Sequence, residues 1–143
     1  MIDNKITFII PAAGKSTRFK SKKSKIFFKF KNKTFIEHIV NKCKKFSDKI
    51  IIISNNFNKF EINNILKKKK IKNIKIVVQK SPIGMGHAVL LGLKKVKTKS
   101  AAVLWSDQIY LTENTINKSI QKFRKNNSLF TFPIFYKKKP YVK

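Results

Sequence analysis

Cysteine occurs once in this 143-residue chain, at Cys43, which excludes an intramolecular disulfide framework and a cysteine-based zinc site. Acidic residues are almost as scarce, with six Asp and Glu against 34 Lys and Arg. No carboxylate pair stands out, nor does a Ser/His/Asp or Cys/His arrangement, so two-carboxylate hydrolysis and covalent nucleophilic catalysis are not indicated. Glycine and proline number four each, and no Pro/Gly/Ser-rich linker or internal repeat divides the chain. No apolar run approaches the ~18–20 residues of a membrane span. Residues 1–5 lead directly into a strand-like run, without a signal-peptide pattern. The expectation is one cytoplasmic domain with no membrane partner, long enough to bury roughly 68–70% of its unfolded surface.

Arginine is also rare, and this bears on the net charge of +28. Such a charge suggests a basic nucleic-acid-binding module that neutralises phosphates. Base readout and stacked RNA contacts, however, favour the planar guanidinium, and only Arg18 and Arg124 are present. Lys, Ile, Phe and Asn together supply 79 of 143 residues, and all four can be encoded with A and T alone. An AT-rich genome that has drifted exposed positions toward Lys and Asn accounts for the excess better than a specific nucleic-acid partner. The lysines still create a positive field that attracts anionic substrates.

Forty-two per cent of the residues are hydrophobic, and their pattern alternates between short solid runs and helical spacing. Residues 6–10, 50–53, 74–78, 101–105 and 129–135 are apolar on both faces and rich in β-branched or aromatic side chains, as suits strands buried between helix layers. Phe35, Ile36, Ile39, Val40 and Cys43 form one helical face, with Thr34 and Glu37 as a capping box. Asn58 and Glu61 repeat that signal before Ile62, Ile65 and Leu66. Helices are also expected over 88–96 and 115–123, the last with Thr112 as N-cap. The lysines at 67–70 fall at a helix end, where positive charge is favourable. The order βαβαβαβαβ predicts an α/β fold: a Rossmann-like, open, mostly parallel sheet with helices on both faces.

In such sheets ligands bind beyond the carboxyl ends of the strands, so the segment after each strand is the place to search. The first carries Ala12, Ala13, Gly14, Lys15, Ser16, Thr17 and Arg18. Small side chains there let backbone N–H groups approach an anion, and two cations can neutralise it. A Walker A loop would need glycine at Ile9, and an NAD-type glycine motif would need more than Gly14. The third strand is followed by Gln79, Gly84, Met85, Gly86 and His87. The two glycines would let a flat ligand lie against the backbone, and Gln79 offers both donor and acceptor to a base edge. An ordinary glycine-containing βα turn explains that loop equally well. The fourth strand ends near Asp107, which is either a Mg²⁺ ligand beside a phosphate loop or a cap of the next turn. His38 and Cys43 read as structural, and His87 as packing or capping.

Taken together, IIPAAGKSTRF, Lys25, Gln79 with IGMGHAV, and LWSDQIYL resemble the motifs of sugar-phosphate nucleotidylyltransferases. Among these the closest likeness is to bacterial N-acetylglucosamine-1-phosphate uridylyltransferases, within a group that includes the MobA-like NTP transferase domains. The motifs stand in the family's order over nearly the whole chain. The resemblance implies the nucleotide-diphospho-sugar transferase fold and Mg²⁺-dependent transfer of a nucleotide from an NTP, with UTP favoured, to a sugar 1-phosphate, releasing pyrophosphate. It implies that residues 12–17, Gln79, Gly84, Met85 and Gly86 hold the nucleotide. Arg18 and Lys15 would hold the triphosphate, Lys25 would stabilise charge at the α-phosphate, and Asp107 would hold the metal. It also implies that residues 1–143 are the N-terminal, nucleotide-binding part of a domain incomplete at its C-terminus. That part would turn over poorly alone or act as a non-catalytic nucleotide-binding fragment.

Overall fold

The computed structural model describes residues 6–14, 24–81, 83–134 and 136. Four parallel strands form one sheet in the order β5-β4-β1-β6: β1 (Ile6–Pro11), β4 (Ile50–Ser54), β5 (Ile74–Val78) and β6 (Ser100–Val103). The two inner strands, β1 and β4, are the isoleucine-rich runs and are buried at every residue. The outer strands are only partly covered, and Lys75 on β5 is exposed. Solid apolar runs thus mark the sheet centre, as expected for strands covered on both faces.

The connections run through α1 (Phe35–Lys44), α2 (Asn56–Lys68) and α3 (Met85–Leu93). Successive strand residues point to opposite faces. Ile9, Ile51 and Ile53 therefore share the face that packs on Ala88 of α3. Phe8 points to the other face, where its ring lies 6.3 Å from that of Phe46, just beyond α1. Helices α1 and α2 touch β4 and each other there, over a core that includes Ile36, Ile39, Val40, Cys43 and Ile62. Helices therefore cover both faces, as the sequence predicts.

α3 approaches the sheet at Gly92, where an added Cβ would lie 2.6 Å from Cγ2 of the buried, β-branched Ile9. Gly92→Ala should gain about 1 kcal/mol in helix propensity. It should lose about 1–3 kcal/mol to overpacking against a side chain that has little rotamer freedom. The expected net result is a midpoint lower by roughly 3 °C in a thermal melt.

The capping box at α1 is present. Thr34 Oγ1 accepts from the Glu37 N–H at 3.3 Å, and the Glu37 carboxylate accepts from the Thr34 N–H at 2.7 Å. Lys69, the C-cap of α2, lies 3.6 Å from the same carboxylate, so one lysine of the 67–70 run forms an ion pair in addition to meeting the helix end. Burial opposes ionisation of Glu37, but the Thr34 hydrogen bonds and the Lys69 charge outweigh it, and the carboxyl titrates below its ordinary 4.5. A depressed folded value contributes stability above the unfolded value that is lost as pH falls through the folded one. The unfolding midpoint of the wild type should therefore exceed that of Glu37→Gln at neutral pH, and the gap should close on acidification below about 4.5.

Three expectations need correction. The N-cap of α2 is Asn55, whose side chain accepts from the Asn58 N–H, so Asn58 lies inside the first turn and makes no capping box with Glu61. Helix α3 begins at Met85 rather than 88, because Gly84 (φ 106°, ψ 179°) provides the turn into it. Gly86 is thereby helical rather than part of a loop. Between 129 and 134 no strand forms, and Leu129, Phe130, Phe132 and Ile134 are exposed. Apolar content there signals a demand for burial, but a strand also needs a ladder partner, and none pairs with this segment among the described residues.

The basic connection ahead of α1 holds more structure than its composition suggests. A 3₁₀ turn (Lys25–Phe27) is followed by a hairpin of β2 (Lys29–Phe30) and β3 (Lys33–Thr34). Lys31 and Asn32 at its tip both have positive φ, as a two-residue type I′ turn requires. The chain divides into two compact units, Met1–Ile109 and Tyr110–Lys143. The second contains α4 (Glu113–Lys125), capped by Thr112 as expected and burying Ile116 and Ile120.

Candidate nucleotide-binding site

All four sheet strands are parallel, so their carboxyl ends lie along one edge, and that edge gathers most of the residues singled out in the sequence. After β1, Ala12 and Ala13 are buried while Gly14 is exposed. The Ala12 N–H donates to the Ile53 carbonyl at 2.7 Å, extending the ladder one residue past the strand. A Cβ at Gly14 would meet nothing within 4 Å among the described residues. Lys15, Ser16, Thr17 and Arg18 lie outside the described residues.

After β4, Ser54 is fully buried and its hydroxyl has no hydrogen-bond partner among the described residues. Asn55 and Asn58 come next, and both side chains reach the β1 loop: Asn55 Nδ2 donates to the Ala13 carbonyl at 2.9 Å and Asn58 Nδ2 to the Ala12 carbonyl at 3.1 Å. Sequence reading missed this pair. Only Asn58 was read as a helix-start signal, and the partners of both amides lie more than 40 residues away.

After β5, Gln79 is 5% exposed, and its backbone N–H donates to the Ser54 carbonyl at 2.8 Å. Its side-chain Nε2 lies 3.0 Å from both the Gly84 carbonyl and His87 Nδ1. With Nε2 donating to both, His87 carries its proton on Nε2, and Gln79 Oε1 is left as an acceptor. His87 thus orients Gln79 rather than packing or capping. Gly84 adopts backbone angles open in practice only to glycine. Met85 is 58% exposed at the start of α3, and a Cβ at Gly86 would meet nothing within 4 Å. This turn is therefore open to solvent on its outer side.

After β6, the Leu104 N–H donates to the Ile9 carbonyl, and Trp105 and Gln108 close a turn. Asp107 sits on that turn. Its Oδ2 lies 2.5 Å from Nζ of Lys25, and the two side chains are 42% and 38% exposed. Eighty-two residues separate the partners, and the neighbouring Ile26, 2% exposed, anchors the 3₁₀ turn that bears Lys25. The reading of Asp107 as a turn cap has no support in its contacts; its carboxylate meets the Lys25 ammonium instead. No group of three or more His, Cys, Asp or Glu that could hold a metal occurs among the described residues. A Mg²⁺ ion needs only one or two carboxylates beside phosphate oxygens and water. Asp107, accessible and already facing a cation, fits that requirement.

His38 Nε2 meets the Phe30 carbonyl at 2.7 Å, and Cys43 is fully buried with its thiol pushed up to about 12 by desolvation, so both are structural as expected. Among the described residues no helix is long and apolar enough to cross a membrane. A cavity of about 360 Å³ opens at the opposite end of the sheet, lined by Thr7, Thr98 and several lysines, and shares no residue with this edge.

Comparison with known proteins agrees with this arrangement. Residues 8–141 match the MobA-like NTP transferase domain. The bifunctional protein GlmU of Buchnera aphidicola subsp. Acyrthosiphon pisum is 33% identical over 133 residues, covering 90% of this chain and 28% of the relative. GlmU of Buchnera aphidicola subsp. Schizaphis graminum is 36% identical over 121 residues, covering 82% of this chain and 25% of the relative. The chain thus spans about a quarter of the length of these relatives. The crystal structure of 4-diphosphocytidyl-2C-methyl-D-erythritol synthase from Anaerococcus prevotii superimposes with a TM-score of 0.68 at 23% identity, over 87% of this chain and 53% of that one, and so shares the fold. Parallel sheet, motif order and sequence match converge: the chain belongs to the MobA-like NTP transferase domain family.

Proposed function

We propose that the carboxyl edge of the sheet binds UTP with Mg²⁺ and serves nucleotidyl transfer to a sugar 1-phosphate. The observation that carries this reading is the Lys25–Asp107 pair, which joins a lysine and a carboxylate 82 residues apart, the carboxylate lying just past β6, the strand beside β1. In the reaction an oxygen of the sugar phosphate forms a bond to the α-phosphorus of the NTP. The bond from that phosphorus to the bridging oxygen breaks, and pyrophosphate leaves with the electron pair. Such transfer depends on positioning and electrostatics rather than on acid–base side chains.

Each residue then has a physical task. Backbone N–H groups from Ala13 to Thr17 hold the phosphates, with Lys15 and Arg18 as their cations, while the Ala12 N–H is spent on the Ile53 carbonyl. Gln79 Oε1, an acceptor, suits a base with a ring N–H donor, as uracil has at N3. Gly84, Met85 and Gly86 form the surface against which the base lies. Lys25 stabilises charge at the α-phosphate. Asp107 would hold Mg²⁺, which supplies charge neutralisation on the phosphates when bound.

An exposed ion pair is worth about 0–1 kcal/mol, so exchanging its Asp107 partner for a phosphate costs Lys25 little. Pyrophosphate release measured with four NTPs and several sugar 1-phosphates tests the reading, with UTP expected to be preferred and activity to require Mg²⁺. The +28 charge favours a second reading, nucleic-acid binding. Tight oligonucleotide binding that weakens steeply with salt and ignores NTP would favour it instead.

A further inference from the structure

We infer that Asn55 and Asn58 are positioning residues that aim the backbone donors of the β1 loop at the triphosphate. The inference rests on the nucleotide-binding reading and adds the device that orients its phosphate loop. The two side chains hold consecutive carbonyls, Asn58 that of Ala12 and Asn55 that of Ala13. All described peptide bonds are trans. In a trans peptide the C=O and the following N–H point in opposite directions. With the Ala12 and Ala13 carbonyls drawn toward the first turn of α2, the N–H groups of Ala13 and Gly14 are turned away from it.

Neither of those N–H groups donates to a partner among the described residues. An unspent backbone donor on a residue as buried as Ala13, 6% exposed, is rare unless a ligand or water takes it up. Both N–H groups sit beyond the carboxyl end of a central strand, where α/β sheets bind their ligands. The clamp is itself rigid. Asn58 is buried at 6% exposure, and Asn55 uses Oδ1 to cap α2 while its Nδ2 reaches the loop. One helix terminus therefore fixes two successive peptide planes of the loop.

The test separates positioning from capping. Asn55→Ser keeps an oxygen that can cap α2 but removes the Nδ2 donor, and it adds no charge near the anion. Mg·UTP binding is measured by calorimetry for the wild type, Asn55→Ser, Asn55→Ala and Asn58→Ala, each at a temperature where circular dichroism shows it folded. Hydrogen bonds to a charged group, once misaimed, cost enough for a loss of about tenfold in affinity. That loss is expected for Asn55→Ser with a small drop in melting midpoint, from the lost bond to the Ala13 carbonyl, and for Asn55→Ala together with a larger one, from the lost cap as well. Asn58→Ala, which leaves the Asn55 cap in place, is expected to lose affinity similarly. If Asn55→Ser and Asn58→Ala bind as the wild type does, the clamp is refuted while the nucleotide reading stands. A wild-type chain that does not bind Mg·UTP overturns that reading and the clamp with it.

Discussion

Lys25→Ala is expected to slow pyrophosphate release from Mg·UTP and sugar 1-phosphate by ~10²–10³, the typical loss for one well-placed donor at a developing charge. The effect should fall on kcat more than on the KM for nucleotide, because in the proposed role the charge that Lys25 meets grows as the α-phosphate reacts. Folding should be almost untouched. The side chain is 38% exposed, and an exposed ion pair contributes about 0–1 kcal/mol. The buried anchor of its 3₁₀ turn is Ile26, which the substitution leaves in place. Lys25→Arg should recover only part of the rate, since guanidinium spreads its charge over a plane instead of concentrating it on one nitrogen. Near-normal turnover in Lys25→Ala would remove this residue from the catalytic account.

The second large effect is expected at Asp107. Asp107→Ala should lower the rate by a similar ~10²–10³, with a different signature. If Asp107 holds Mg²⁺ as proposed, loss of the carboxylate weakens that hold, so the wild type should show a marked gain in UTP affinity on adding Mg²⁺ and the variant little or none. Asp107→Asn keeps nearly the same shape and should behave like the alanine variant, which separates charge from packing. The ion pair with Lys25 is lost in both variants. If Lys25 acted only as the partner of Asp107, Lys25→Ala would show the same metal signature. The account predicts that it does not.

Much of this edge was legible in the sequence because the signals were local. Short isoleucine runs identified β1 and β4, and Thr34 with Glu37 identified the start of α1. The residues just past each strand identified the loops bearing Gly14, Gln79, Gly84 and Asp107. Features that depended on partners far away in the chain were not legible. Asn58 was read as an N-cap from its residue type, but its amide is directed at Ala12, 46 residues earlier. His87 gave no sign of its contact with Gln79, because a lone histidine at a helix start has many ordinary uses. The apolar segment at 129–134 had the composition of a strand, and strand formation depends on a ladder partner that composition does not specify. Gly86 was misplaced for a similar reason, since the backbone at Gly84 decides where α3 begins.

The most direct test of the central claim is amide chemical-shift mapping of the ¹⁵N-labelled chain titrated with Mg·UTP. The account predicts saturable shifts at Ala13, Gly14, Gly84, Gly86 and Asp107, together with the side-chain amide of Gln79. Shifts confined to Thr7, Lys75, Lys97 and Thr98 at the opposite end of the sheet, or no saturable shift at all, would contradict it.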